Sequence, residues 1–246
     1  MKLLSKTLND FQIIALDGPF GRINDFYFDD TEMKVTHAEI RCGSILKKMY
    51  KPIPIKYIQY IDLANKEVIM NLLKHYIEHS PNTESLTSLP SDIFERHWER
   101  YYSNRSGSSA LNYIGPLGPR PKMEAMKSSE EVHSLKYLNG FNVEDTDGII
   151  GKSDGSIVNW ETFQISSLIF KKGTFFLTKK KKIGIEWIRN INWNEKYISI
   201  ETNRSHTNTL SKFCKTDCES TLTYPIEVNY NGIAHIPANL RKISPK

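Results

Sequence analysis

Residues 11–71 recur at residues 141–201, displaced by 130 positions without a gap. Phe11 matches Phe141, and Asp17, Gly18 and Gly21 match Asp147, Gly148 and Gly151. Gly43 matches Gly173, and Ile53, Ile55, Ile58 and Ile61 match Ile183, Ile185, Ile188 and Ile191. With Lys51/Lys181 and Lys66/Lys196 there are 11 identities over 61 positions. The identities fall on turn glycines and periodically spaced isoleucines, the residue types that backbone geometry and a core select. The chain therefore reads as two copies of one small module. The repeat constrains architecture far more than activity.

At 246 residues the chain holds two modules of about 60–80 residues with their connections. Hydrophobic content of 39% and charged content of 25% suit a globular rather than a disordered protein. Apolar runs such as Ile13-Ile14-Ala15-Leu16 are too short to span a membrane. No apolar stretch of secretory type precedes Asp10. Cys42, Cys214 and Cys218 form no disulfide framework. The expectation is a cytoplasmic protein with reduced thiols. The net charge of +5 is uneven. Residues 11–33 and 141–161 are acidic, whereas 34–71 and 162–201 are basic. Turn aspartates and edge lysines account for that order; head-to-tail docking of the copies through opposite charge is the sharper alternative.

Within one module, Phe11–Leu16 reads as a strand broken by Asp17-Gly18, with Gly21 letting the chain turn back. Arg22–Asp29 alternates as a half-buried strand, and Asp29-Asp30-Thr31 supplies turn chemistry. In Met33–Arg41 the apolar parity switches, from Met33 and Val35 to Ala38 and Ile40. The second copy does the same, from Phe163 and Ile165 to Leu168 and Phe170. A shared phase change predicts a β-bulge, as a closing barrel requires. Then come a strand over Ile53–Ile58, edge or irregular because of Pro54, a turn at Asp62–Asn65 and a last strand, Lys66–Asn71. Strands this short need closure to bury a core, which predicts two small antiparallel β-barrels.

The segment FQIIALDGPFGRINDFYFDD resembles the opening of a PRC-barrel domain: a strand, a D-G-x-x-G turn and a strand ending in F-x-x-D-D. That family includes the H subunit of the photosynthetic reaction centre and the C-terminal domain of a bacterial ribosome-maturation factor. The resemblance spans residues 8–80 and, less fully, 138–201, where Val158-Asn159-Trp160 replaces the F-x-x-D-D end. Ser80-Pro81 and the paired Tyr101-Tyr102 also resemble bacterial tandem PRC-barrel proteins, many of which have no assigned activity. The implied organisation is mainly β: a first PRC-barrel at 1–80, a helix and Gly/Pro/Ser linker at 81–137, a second PRC-barrel at 138–201, and a C-terminal extension at 202–246. Residues 91–102 read as a helix capped by Asp92 and Glu95, with Phe94, Trp98, Tyr101 and Tyr102 on one stripe. Asn104–Lys122, carrying Arg105, Arg120 and Lys122, reads as linker. Ile226–Tyr230 and Ile233–Ile236 read as a hairpin around Asn231-Gly232, joining the second barrel or forming a flap.

No catalytic constellation stands out, and the expectation is a protein that is not an enzyme and needs no cofactor or metal. His75-x-x-Glu78-His79 matches the H-x-x-E-H zinc signature. It directly follows a barrel strand, with little room for an active-site helix and no third ligand downstream. Cys214-x3-Cys218 with His206 lacks a fourth ligand. Asp17-Gly18-x-x-Gly21 and Asp147-Gly148-x-x-Gly151 read as structural turns. The densest basic patch is Lys171, Lys172 and Lys179, Lys180, Lys181 and Lys182, with Phe175 and Phe176. It could hold a phosphate backbone and stack bases, lie on an anionic membrane, or simply guard an edge. The leading expectation is a non-enzymatic adaptor or binding module acting as a monomer on a protein partner; the alternative is an RNA- or ribosome-associated factor.

Overall fold

Turn residues divide this chain into short strands, and the pairing of those strands is set by which edges would otherwise be left open. The computed structural model describes residues 2–44, 47–80, 132–173, 179–203, 205, 207, 210 and 226–227. The first half contains β1 (Lys2–Leu4), a 3-10 turn (Ser5–Leu8), β2 (Gln12–Ala15), β3 (Gly18–Asp29) and β4 (Lys34–Gly43). It continues with β5 (Lys48–Pro54), a 3-10 corner (Ile55–Tyr57), β6 (Ile58–Asp62), β7 (Glu67–Met70) and helix α1 (Lys74–Glu78). The second half has β8 (Val132–Ser134), a helical turn α2 (Leu135–Leu138), β9 (Asn142–Asp145), β10 (Gly148–Asn159) and β11 (Gln164–Lys172). Then follow β12 (Lys179–Gly184), a corner (Ile185–Trp187), β13 (Ile188–Asn192) and β14 (Tyr197–Ile200). Element order and starting positions keep the 130-residue spacing almost throughout. Residues 132–137, which the sequence places in the linker, belong to β8 and α2.

The strands form one mixed sheet that does not close into a barrel among the described residues. Its main path runs β13-β14-β9-β10-β11-β4-β3-β2-β7-β6, ending on β15 (Ile226–Glu227). The expectation of purely antiparallel pairing is corrected: β2 runs parallel to β7, and β9 parallel to β14. The 3-10 corners are the reason. The single strand expected over Ile53–Ile58 is two strands joined at Ile55–Tyr57. That corner carries the chain onward instead of reversing it, so the module's last strand returns in the direction of its first. Pro52 and Pro54 lie on β5, which among the described residues pairs with β4 alone, as suits a residue without an N–H.

The predicted bulge is present in both halves. Tyr27 pairs with His37 and Phe28 with Val35, leaving Thr36 extra; Ile157 pairs with Ser167 and Val158 with Ile165, leaving Ser166 extra. Each extra residue donates its hydroxyl across the break, Thr36 to the Tyr27 carbonyl at 3.3 Å and Ser166 to the Ile157 carbonyl at 3.2 Å. The Asp29 carboxylate accepts from the backbone N–H groups of Thr31 and Glu32, which sets the β3–β4 turn. Gly21 and Gly151 sit where β3 and β10 pass the carbonyls of Arg41 and Lys171; a Cβ on Gly21 would lie 2.6 Å from that oxygen, and one on Gly151 closer still.

The halves are joined by exchange of their first strands. A 12-residue strand is about 40 Å long, and four-residue β9 covers only part of one edge of β10. β1 covers the far end of that edge, with Leu3 opposite Val158. Reciprocally, β8 covers the far end of the β3 edge that β2 begins, with His133 opposite Phe28. Between these joints Lys34 pairs with Gln164, and the Val35 and Ile165 N–H groups donate to the Phe163 and Met33 carbonyls at 2.9 and 2.8 Å. One apolar cluster runs through both halves, from Ile13, Ile23, Phe26 and Phe28 to Phe141, Trp160, Phe163 and Phe170. On the seam, Trp193 donates to Asp30 at 2.8 Å while the His133 ring stacks on it with centroids 3.7 Å apart. The joint is thus strand pairing and apolar packing more than opposed charge.

Candidate functional site

The alternation of a β-strand splits the lysine run. Phe170 is buried and pairs with Lys181, so Lys181 points to the core side; Lys171 pairs with Lys180 on the opposite face. Lys182 pairs with Ile169 and shares the outer face, whereas Lys172 and Lys179 pair on the inner one. Lys181 is occupied structurally, its ammonium donating to the Leu210 carbonyl at 2.5 Å. Lys51, 130 residues earlier, does the same for the Ser80 carbonyl at 2.6 Å, which accounts for lysine at both positions.

The outer face gains lysines from other strands. Lys152 on β10 pairs across to Lys171, giving a row Lys152–Lys171–Lys180 over three adjacent strands. Like charges directly opposite one another destabilise a sheet unless a counter-charge lies between them. Asp154 supplies it. It is the extra residue between Ser153 and Gly155, where β10 slips register against β11. Its carboxylate lies 2.6 Å from Lys171, 2.5 Å from Lys180 and 3.5 Å from Lys6. Burial pushes the Asp154 carboxyl up, but the hydrogen bonds from Lys171 and Lys180 and the charge of Lys6 outweigh it and leave the group below its ordinary range. The surface therefore carries Lys6, Lys171 and Lys180 around one carboxylate, with Lys152 and Lys182 on the same face and Lys152 and Lys171 exposed. Of the lysines singled out in the sequence, the fold brings Lys171, Lys180 and Lys182 together here; Lys6, Lys152 and Asp154 were missed. Their signal was available in the lysines' two-residue period and in the aspartate where the register slips.

The same place in the first half is built differently. Tyr27, Glu39 and Ser134 stand 130 residues from Ile157, Ile169 and Leu4, which form a small apolar cluster. Asp25 pairs across the strands with Glu39, and both are buried. Asp25 accepts from the Ser134 hydroxyl at 2.5 Å and the Lys136 N–H at 3.1 Å. Glu39 accepts from Tyr27 at 3.2 Å and from the Asn24 amide. Burial raises the Asp25 carboxyl to about 6, against the pull of its hydrogen bonds, with Glu39 adding to the rise. Burial, then the neighbouring carboxylates, also push the Tyr27 phenol up. The network locks α2 onto β3 and turns no charge toward solvent.

The remaining candidates fall as follows. Gly18 and Gly148 open β3 and β10 at φ of 118° and 112°. The Asp17 carboxylate accepts from the Lys74 N–H at 2.9 Å, tying that turn to α1, while the Asp147 N–H donates to Asp145. His75 and Glu78 lie on five-residue α1 and His79 caps its C-terminal end; the two rings are 4.3 Å apart, and His79 Nδ1 donates to the His75 carbonyl. Among the described residues no three His, Cys, Asp or Glu side chains gather as a metal site. Cys42 is free and buried. Burial raises its thiol and lowers the Lys51 ammonium. The helix expected at 91–102, the basic linker, Phe175, Phe176, His206, Cys214 and Cys218 lie outside the described residues. Of the expected C-terminal hairpin, Ile226–Glu227 is described, and it extends β6 of the first half rather than the second. No helix among the described residues is long and apolar enough to cross a membrane. Neither the known protein-family models nor the curated protein sequences contain a match to this chain.

Proposed function

We propose that this protein is a non-enzymatic binding module made of two copies of one PRC-type barrel unit, and that it engages an anionic partner through the outer lysine face of its second half. The observation that carries the reading is the row Lys152–Lys171–Lys180, flanked by Lys6 and Lys182 and answered by Asp154. Positive charge concentrated on a rigid sheet steers and orients an acidic partner. Backbone pairing of β10, β11 and β12 holds Lys152, Lys171, Lys180 and Lys182 in place, and Lys6 joins them from the 3-10 turn Ser5–Leu8. The proposed cytoplasmic adaptor acts as a monomer, since the exchanged strands give one chain the pseudo-two-fold arrangement of a dimer.

An acidic protein segment is the first reading of the partner. RNA is the second, favoured by the concentration of lysines on one face, which can neutralise a phosphate backbone. Affinity capture from native lysate with wild-type protein and a Lys171→Ala/Lys182→Ala variant, each with and without nuclease, tests both. Capture that needs the two lysines and survives nuclease supports the protein adaptor; loss on nuclease treatment supports RNA. Identical capture by both chains refutes the surface.

A further inference from the structure

A second cationic site lies in the first half, away from the lysine face. An open groove of about 740 Å³ runs between the β2–β3 and β4–β5 hairpins, lined by Gln12, Phe20, Arg22, Arg41, Cys42 and Lys48 among others. Its volume falls within the roughly 300–1,000 Å³ usual for small-molecule sites. Arg22 and Arg41 are direct cross-strand partners, so two guanidinium groups share one face of the sheet. Asp10, in the left-handed region at φ 63°, orders them both. Its carboxylate accepts from Arg41 at 2.9 Å and its carbonyl from Arg22 at 2.8 Å. Gln12 is fixed by donating to the Gly21 carbonyl at 2.8 Å.

The register of this arginine pair is the independent observation. The positions 130 residues on are Lys152 and Lys171, also cross-strand partners. The two halves differ at most of their positions, yet both keep a destabilising like-charge pair at this point. In the second half a carboxylate built into the sheet, Asp154, neutralises it. In the first half position 24 is Asn, and the carboxylate answering the pair is Asp10 on the rim, its side chain 71% exposed. Two arginines and Lys48 against one aspartate leave the groove with two excess positive charges. Phe20 and Pro19 give it an apolar wall.

We propose that this groove binds a phosphomonoester carrying a flat apolar body. The dianionic phosphate takes the guanidinium pair through charge-assisted, fork-shaped hydrogen bonds, with Lys48 as a point charge, and the body lies against Phe20. The site is separate from the lysine face, so either can fail alone.

Isothermal titration of the full chain with adenosine 5′-monophosphate, adenosine and inorganic phosphate tests it. The monophosphate binds, and each of the other two binds weaker by about tenfold or more. Arg41→Gln lowers the monophosphate affinity by about tenfold, and Arg41→Lys does not restore it. Lys48→Gln, an exposed change on an edge strand, weakens binding a few-fold with the melting temperature unchanged, so the result does not hang on how Arg41 variants fold. No detectable monophosphate binding, equal binding of adenosine or of inorganic phosphate, or unaltered binding by Lys48→Gln and both Arg41 variants overturns the proposal.

Discussion

Asp25→Asn isolates the energetics of the buried carboxyl network. Asp25 titrates at about 6 in the fold against 3.8 as an ordinary carboxyl, chiefly because burial disfavours its charge. The raised value fixes the sign. Stability from this group is fully present below about pH 4 and is lost as pH rises through about 6. A shift of roughly two pH units corresponds to about 3 kcal/mol, undiscounted because the group is well buried. Asparagine keeps the acceptor oxygen for the Phe26 and Lys136 N–H groups and can turn its amide to the Ser134 oxygen. The variant should therefore gain on wild type by about 3 kcal/mol between about pH 4 and about pH 7. His37 complicates the absolute curve. Burial, with Lys56 nearby, pushes its imidazole down to about 3. Its contribution is lost as pH falls below its ordinary 6.5, the opposite sense. Subtracting the two curves removes His37, which is common to both. Urea unfolding followed by tryptophan fluorescence across this pH range measures the difference. A difference constant within about 0.5 kcal/mol, or a variant weaker than wild type at pH 7, refutes the reasoning.

Other substitutions probe the packing. Gly21→Ala drives a Cβ into the Arg41 carbonyl and should cost well over about 2 kcal/mol, while Gly140→Ala, at φ 91° with nothing nearby, should cost about 1–2 kcal/mol from backbone strain; equal losses would contradict the close-approach argument. Leu3→Ala should cost about 2–4 kcal/mol in urea unfolding although β1 is three residues long, because β1 buries Leu3 against β10; a loss under about 0.5 kcal/mol would show the exchanged strand to be dispensable. Asp154→Asn leaves Lys6, Lys171 and Lys180 without their shared carboxylate, so its melting temperature should fall at low salt and recover toward wild type at about 0.5 M salt, and a salt-independent loss would exclude electrostatic repulsion as the cause.

Local chemistry in this protein is written in its residues, and long-range pairing is not. The bulge was readable because Val35 and Ala38 cannot both face inward on a regular strand, and the extra residue, Thr36, lies between them. The turn at Asp62 was readable because an aspartate carboxylate captures the N–H three residues on, as it does for Asn65. The exchange of β1 and β8 left no such mark. Three-residue strands show no periodicity, and their partner is decided by how much of a neighbouring edge β9 or β2 leaves uncovered. The corner at Ile55–Tyr57 was hidden because Ile55, Tyr57, Ile58, Tyr60 and Ile61 all favour strands, and with it the parallel pairing of β2 and β7. The lysine run misled for another reason: counting charge treated adjacent residues as neighbours, whereas strand parity sends Lys181 inward and Lys180 outward.

The crossed strands also dictate an order of events during synthesis. Residues 2–4 are made long before their seat on β10, which does not exist until residue 159 has been made. At about 5–20 residues per second that interval lasts roughly 10–30 s. Over much of it the Tyr27–Asp29 edge of β3 is also open, because β8 is made only at residues 132–134. An apolar strand with one bare edge is a template for pairing with a neighbouring nascent chain. The first half thus emerges with its sheet unfinished, and the second half acts as the late-arriving capping partner that ends the exposure.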